Sequence, residues 1–241
     1  MTEEIYQLKL FNQAMRPILR SLFRGLFHLL SQVQIYGSEN VPKHGAYLIV
    51  INHISLFEPP FVMAFWPTAP EAVGAVDIWD KAGQSTLARM YGGIPVRRGE
   101  YDRKLIVTLL QVLNSSRPLL IAPEGGRSHT PGMRRALPGA AYLADAGQVP
   151  VIPTGIVGTS DDFLKNALRG QRGSLEMHIG QPFRLPAIHM NEKNHRNARQ
   201  YNADLIMRKI ADLLPPEYHG VYAVQAESDH SNHKTSASEI G

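Results

Sequence analysis

The chain has no cysteine among its 241 residues, and that absence removes disulfides, thiolate nucleophiles and thiolate metal sites together. It fits a reducing compartment. Long apolar runs are missing too: none approaches the roughly 18 to 20 residues that span a bilayer. Glu3 and Glu4 stand where a secretory leader would carry its basic segment, so no signal peptide is expected. Lys plus Arg number 25 against 21 Asp plus Glu, a formal +4, too mild a surplus to argue for nucleic acid. No internal repeat or long linker divides the chain, which points to one large domain with a substantial core. No Gly-Lys-Ser/Thr follows a glycine cluster, which argues against a P-loop, and there is no Gly-x-Ser-x-Gly nucleophile elbow. His44, His129, His178, His189, His230 and His233 are scattered without metal-ligand spacing, so no metal is expected.

What the chain does carry begins at its N-terminus. Leu8, Phe11, Met15, Leu19, Leu22, Phe23, Leu26, Phe27, Leu30 and Val33 recur at helical spacing, with Arg16, Arg20 and Arg24 at i, i+4 and i+8 beside them. Pro17 suits a first turn better than a helix interior, which predicts a short helix, a break and a second helix. An apolar face edged with arginine suits an anionic membrane interface. It equally suits a helix packed on its own domain with the arginines solvated. Residues 1–32 are read as N-terminal amphipathic membrane-surface helices, 33–221 as the catalytic domain and 222–241 as a polar, disordered tail.

From Val33 onward strand and helix signals alternate. Strands are expected at 33–36, 46–51, 72–76, 94–96, 118–122, 151–157 and 175–179; helices at 58–66, 79–90, 102–113, 138–146 and 201–214. That alternation predicts an α/β fold, a mainly parallel central sheet flanked by helices and preceded by the amphipathic N-terminal segment. Ligands of such sheets gather outside the carboxyl ends of the strands.

Three polar clusters fall at such ends. Apolar Ala46 to Ile51 runs into Asn52-His53-Ile54-Ser55-Leu56-Phe57-Glu58-Pro59. A carboxylate on one imidazole nitrogen fixes the tautomer and leaves the other free to accept a proton, so His53 and Glu58 are candidates for a general base and its orienting group. Taken alone they also fit a loop cap and a solvated charge. Gly92 to Gly99 delivers Arg97 and Arg98, and Leu120 to Ser128 ends in Glu124, Gly125, Gly126 and Arg127. Guanidinium forks suit phosphates and adjacent glycines let backbone amides approach an anion. Their bland readings are a solvated pair and a tight turn.

With these blocks in view, the chain resembles the glycerolipid acyltransferase family that includes 1-acylglycerol-3-phosphate acyltransferases. Four blocks match in order: Asn52-His53 with Glu58; Gly93-Ile94-Pro95-Val96-Arg97-Arg98; Pro123-Glu124-Gly125-Gly126-Arg127-Ser128; and Val149 to Gly155. The match covers roughly residues 41–158. The resemblance implies that His53 deprotonates an acceptor hydroxyl as it attacks an acyl thioester, with Glu58 orienting the imidazole. It implies that Arg98 and the block of Glu124, Gly125, Gly126 and Arg127 hold the acceptor's phosphoglycerol end, and that Pro153 and Gly155 shape the acyl channel.

No cofactor is implied beyond the co-substrate, acyl-CoA or acyl-ACP (acyl carrier protein). The expected partners are a lysophospholipid and a membrane surface, with no nucleic acid, and the expected location is cytoplasmic and peripheral to the membrane. Two departures stand out. Glu58 replaces the family's usual aspartate, adding roughly 1.5 Å of reach. Arg97 replaces an aspartate often found before the arginine, making the pocket more cationic and blurring which arginine makes the contact. An acyl-thioester hydrolase using the same pair, or a catalytically silent lysolipid-binding protein, are the competing readings.

Overall fold

Leu48, Ile49, Val50 and Ile51 are all buried, and their side chains alternate between two cores. Leu48 and Val50 pack with Leu109, Val112, Leu119 and Ile206. Ile49 and Ile51 pack with Phe27, Phe61, Trp66 and Leu175. A strand covered on both faces is apolar throughout, as parallel sheets between helix layers require.

The computed structural model describes residues 6–188 and 195–223. Its elements are α1 (Leu10–Leu30), β1 (Gln32–Tyr36), β2 (Leu48–Ile51), α2 (Glu58–Phe65), β3 (Glu71–Ala75), α3 (Gln84–Tyr91), β4 (Ile94–Val96), α4 (Arg103–Asn114), β5 (Leu119–Ile121), α5 (Gly139–Ala146), β6 (Val151–Val157), α6 (Phe163–Leu168), β7 (Ser174–Ile179) and α7 (His195–Ala211). Glu3, Glu4, His189, His230, His233 and the expected tail from residue 224 lie outside the described residues.

The seven strands form one sheet in the order β1-β7-β6-β2-β5-β3-β4. Strands β6, β2, β5, β3 and β4 run parallel. Strand β7 joins β6 antiparallel, and β1 pairs parallel with β7. The sheet is mainly parallel, as the alternation predicted, with β2 at its centre. The carboxyl ends of β2, β4, β5 and β6 therefore open on one edge, where ligands of such sheets bind.

The N-terminal segment departs from expectation. One continuous helix runs from Leu10 to Leu30 with Pro17 inside it, in place of two helices and a break. An interior proline costs about 3 kcal/mol or more, and anchored arginines on both sides of it supply the compensation. Arg16 forks onto Glu71 (Nη1–Oε1 2.8 Å, Nη2–Oε2 2.6 Å) and donates from Nε to the Tyr91 carbonyl. Arg20 donates to the carbonyls of Met63 and Trp66, and Arg24 to that of Ala64. These carbonyls belong to the end of α2, where the last turn of a helix leaves acceptors unpaired.

The arginine stripe thus turns toward the domain in graded fashion: Arg16 is buried, Arg20 half-buried, and Arg24 stays exposed with its Nε on the Ala64 carbonyl. Leu10, Phe11, Ile18, Leu22, Leu26 and Leu29 are the large apolar side chains of α1 left exposed. Phe27 and Leu30 are buried in the core.

Smaller differences have local causes. The helix expected over 79–90 begins only at Gln84, because Val76–Asp80 forms a 3₁₀ turn. The last helix starts earlier than expected, at His195. The six-residue α6 went unpredicted, being too short for a periodic signal.

Candidate active site

Strand β2 delivers Asn52 and His53 to the sheet's carboxyl edge. The Asn52 amide imitates a further ladder pair: Nδ2 donates to the Ile156 carbonyl (2.9 Å) and Oδ1 accepts from the Ile156 N–H (2.8 Å). The next residue is held on both backbone atoms. The His53 N–H donates to Glu124 Oε1 at 2.7 Å, and its carbonyl accepts from the Ser128 N–H at 2.8 Å. The loops after β2 and β5 are zipped together around the histidine.

His53 Nδ1 lies 2.9 Å from Glu58 Oε2, and no hydrogen bond occupies Nε2 among the described residues. Glu58 is the first residue of α2 and is fully buried, so its charge needs compensation. Ser55 supplies it, from N–H to both carboxylate oxygens (2.9 and 3.0 Å) and from Oγ to Oε1 (2.8 Å). The helix N-terminus favours the same anion. A carboxylate so fixed holds the proton on Nδ1 and leaves Nε2 as the acceptor. The extra methylene of glutamate is therefore accommodated with a normal hydrogen bond.

Glu124 is buried too, and it does more than hold His53. Its Oε2 accepts from the Arg134 N–H at 2.7 Å. Burial pushes this carboxyl up to about 7, against the opposing pull of the Arg134 and His53 N–H groups. Gly125 sits at φ +66, and a β-carbon there would lie 2.4 Å from Leu137 Cδ1, so the turn requires glycine. Its N–H bonds the Ala122 carbonyl and is spent on that turn.

The arginines separate into two kinds. Arg97 is exposed and faces Glu100 at 4.0 Å. Arg127 Nη1 faces Asp161 Oδ1 at 3.3 Å, and Asp161 also takes His129 Nδ1 at 2.7 Å. That bond, ahead of the charges of His129 and Arg127 and against a small burial effect, holds the Asp161 carboxyl below its usual range. Arg98 makes no hydrogen bond or ion pair among the described residues. His53, Glu58 and Glu124 form one connected set, while Arg97 is paired away from it.

Sequence reasoning gave no role to Ser55, Asp161 or Arg134, and named Asn52 only as part of the first block. Only Ser55 had a local signal, the Ser-x-x-Glu spacing of a capping box. Pro153 and Gly155 lie within β6, the latter against Leu214. Among the described residues no three His, Asp or Glu side chains are grouped as metal ligands would be.

Comparison with known proteins bears on this arrangement. A family model described as Acyltransferase matches residues 32–157, just over half of the chain. The 1-acyl-sn-glycerol-3-phosphate acyltransferase alpha of Homo sapiens is 25% identical over 160 residues, covering 63% of this chain and 54% of that protein. The Helicobacter pylori 1-acyl-sn-glycerol-3-phosphate acyltransferase is 31% identical over 140 residues, 53% of this chain and 55% of its own. The chain thus spans about half the length of these relatives. The Borreliella burgdorferi enzyme of the same name is 21% identical over 185 residues, with 76% of this chain and 73% of that one covered. Among solved structures, the 1-acyl-sn-glycerophosphate acyltransferase PlsC from Thermotoga maritima shares the fold, at TM-score 0.61 and 20% identity over 84% of this chain and 80% of that chain.

Proposed function

The chain belongs to the acyltransferase family, and from that premise we propose that it moves a fatty acyl group from an acyl thioester to the free hydroxyl of a lysophospholipid. The acceptor proposed is 1-acylglycerol-3-phosphate, which would give phosphatidic acid. The relatives' names support that choice. The observation that carries the reading is the His53–Glu58 pair, with Nε2 open and Glu58 fixed by Ser55.

His53 Nε2 takes the proton of the acceptor hydroxyl as its oxygen attacks the thioester carbonyl. The carbon–sulfur bond breaks, and the proton passes from the imidazolium to the leaving thiolate. Glu58 keeps the ring oriented and stabilises its transient positive charge. The step needs no enzyme nucleophile, so a chain without cysteine can perform it. Arg98 and Arg127 lie on the loops after β4 and β5 and give the mouth a charge suited to a phosphorylated acceptor.

Both acceptor and product are amphiphiles, so the site must meet them at a bilayer. No helix among the described residues is long and apolar enough to cross a membrane. The exposed face of α1 supports peripheral association instead. On the buried side of α1, Phe27 meets Phe163 of α6, which meets Phe57 in the His53 loop. Leu164 and Leu168 of α6 and Leu56 beside the dyad are exposed as well. Large apolar side chains on a helix face are what an interfacial helix buries in lipid.

The test is a panel of acyl-CoA and acyl-ACP donors against several lysolipids, with products separated. New diacyl phospholipid supports transfer. Free fatty acid in its place would show a hydrolase, and no turnover over the whole panel would show a silent lipid-binding domain.

A further inference from the structure

The two edges of the sheet are built differently. At one end stands β4, only Ile94-Pro95-Val96, and a short strand with a proline in it offers little to a further strand. At the other end stands β1, Gln32-Val33-Gln34-Ile35-Tyr36. It carries no charge, no proline and no glycine, the devices that keep an edge from pairing.

Strand β1 pairs with β7 alone, from Gln32 opposite Ser174 to Tyr36 opposite His178. The Gln32 N–H donates to the Gly173 carbonyl at 3.0 Å, and this sets the alternation. Gln32, Gln34 and Tyr36 turn their backbone groups toward β7, while Val33 and Ile35 turn theirs outward. Among the described residues no strand or loop bonds those outward groups.

Both ends of β1 are drawn away from this open side. Gly37, at φ +76, sits so close to the end of β7 that a β-carbon would lie 2.0 Å from the Ile179 oxygen. Asn40 Nδ2 donates to that same carbonyl at 2.8 Å. At the start of the strand, Arg172, just before β7, donates from Nη2 to the His28 carbonyl at 2.6 Å and to that of Ser31 at 3.4 Å. Gln32, Gln34 and Tyr36 are exposed, and Val33 and Ile35 are only half-buried.

The strand is also its own complement. Val33 and Ile35 pack on the core side with Phe27 and Leu175. The other face carries Gln32, Gln34 and Tyr36, with the Tyr36 ring stacked on His178 and its hydroxyl on Gln34. Outward from Gln34 the pattern reads apolar then polar in both directions.

We propose that the outer edge of β1 pairs antiparallel with β1 of a second copy of this chain, about a two-fold axis through Gln34. Val33 then lies opposite Ile35 of the other copy on each side of the axis, and each such pair exchanges both of its backbone bonds. Gln34 faces its own counterpart as a non-hydrogen-bonded pair, with Cα atoms about 4.5 Å apart. Gln32 faces Tyr36. Apolar side chains meet on the core side and uncharged polar ones on the other, a match that an unrelated strand does not offer as of right. An axis normal to the sheet leaves α1 of both copies on one side. On the membrane reading above, which the pairing itself does not need, two helices then meet one bilayer and gain avidity.

The experiment is sedimentation equilibrium of the full chain at rising concentration and low salt. It compares wild type, Gln34→Lys, Gln34→Glu and the combined α1-face variant Ile18→Ser, Leu22→Ser, Leu26→Ser. Wild type is expected to pass from monomer to dimer with a dissociation constant on the order of micromolar, because a strand edge is a small interface. Each Gln34 variant sets like charges opposite one another, and dimerisation should weaken about fivefold or more. An equal mixture of the two should associate at least as tightly as wild type, because opposite charges then meet. The residue is exposed, so all melting temperatures should agree, and amide exchange at Val33 and Ile35 should slow as wild type dimerises. A wild type that stays monomeric up to about 100 μM overturns the pairing. So does a mixture that fails to recover, or a dimer lost in the α1-face variant and kept in both Gln34 variants.

Discussion

Arg16 of α1 and Glu71 of β3 form a two-pronged ion pair, 2.8 and 2.6 Å, with both side chains almost wholly removed from solvent. Arg117 and the Tyr6 hydroxyl complete the shell around the same carboxylate. Burial alone would raise the Glu71 carboxyl, but the Arg16 hydrogen bonds and charge outweigh it and hold it below its usual range. The pair locks α1 to the sheet, and α1 in turn caps the helix that begins with Glu58.

Breaking this pair strands a buried charge. Glu71→Gln is expected to destabilise the fold by about 3–5 kcal/mol, while replacing Arg16 and Glu71 together by Leu is expected to cost less than the single change. Because Glu71 is depressed in the folded state, its contribution is complete above the unfolded carboxylate value and is lost as pH falls through the lower folded one. Urea unfolding of the two variants beside wild type, with an acid titration of the wild type, checks both statements.

Glu58→Gln keeps the shape and changes the donor pattern. An amide has one acceptor oxygen, so either Ser55 N–H or the His53 Nδ1–H faces an NH₂ group. The expected result is a kcat lower by roughly 10²- to 10⁴-fold with KM little changed. Glu58→Asp withdraws the carboxylate by roughly 1.5 Å from a ring it now meets at 2.9 Å, and it too is expected to be slow. Equal kcat in wild type and both variants would remove Glu58 from the chemistry.

Glu124 makes stability depend on pH in the opposite sense to Glu71. Its folded value of about 7 lies above the ordinary 4.5, so the native chain keeps a proton that the unfolded chain releases. Stability contributed at this position falls as pH rises from about 4.5 to about 7, by on the order of 3 kcal/mol, and is level above that. Glu124→Gln abolishes the slope, although its amide suits only one of the two N–H donors. The wild-type advantage over the variant should therefore shrink between pH 5 and pH 8 in chemical denaturation. An advantage that grows with pH would be the wrong sign.

The exposed face of α1 calls for point changes rather than truncation, because residues 1–32 include Phe27 and Leu30 of the core and the three anchoring arginines. Ile18→Ser, Leu22→Ser and Leu26→Ser combined are expected to lower partition to lipid vesicles by more than about tenfold while moving the melting temperature little, since a large aliphatic side chain buried in lipid contributes about 1.5–3 kcal/mol. Sedimentation with vesicles checks this. Undiminished binding would leave the helix face without a lipid role.

The sheet was legible because β2 and β6 are apolar runs of strand length, and His53 was legible because it leaves the end of one of them. Helix α4 announced itself through its period, and the structure adds the cap, the Asp102 side chain accepting from the Leu105 N–H. Helix α1 misled for a physical reason. Periodicity finds an apolar face and an arginine edge, but which side turns inward depends on the unpaired carbonyls at the end of α2, a partner distant in sequence. Arg134 and Asp161 were invisible for the same reason. Their roles come from loops that meet in space, and neither carries a local pattern. Glu58 was visible, but that glutamate could replace aspartate there depended on Ser55 and the backbone around it.

The central claim, that His53 is the base of an acyl transfer, is tested most directly by one rate. Purified wild type and His53→Ala, matched for folding by circular dichroism and melting temperature, are given acyl-CoA and 1-acylglycerol-3-phosphate, and formation of phosphatidic acid is followed. Wild type is expected to form it and the variant to be slower by about 10²-fold or more. Equal rates in the two proteins would contradict the claim.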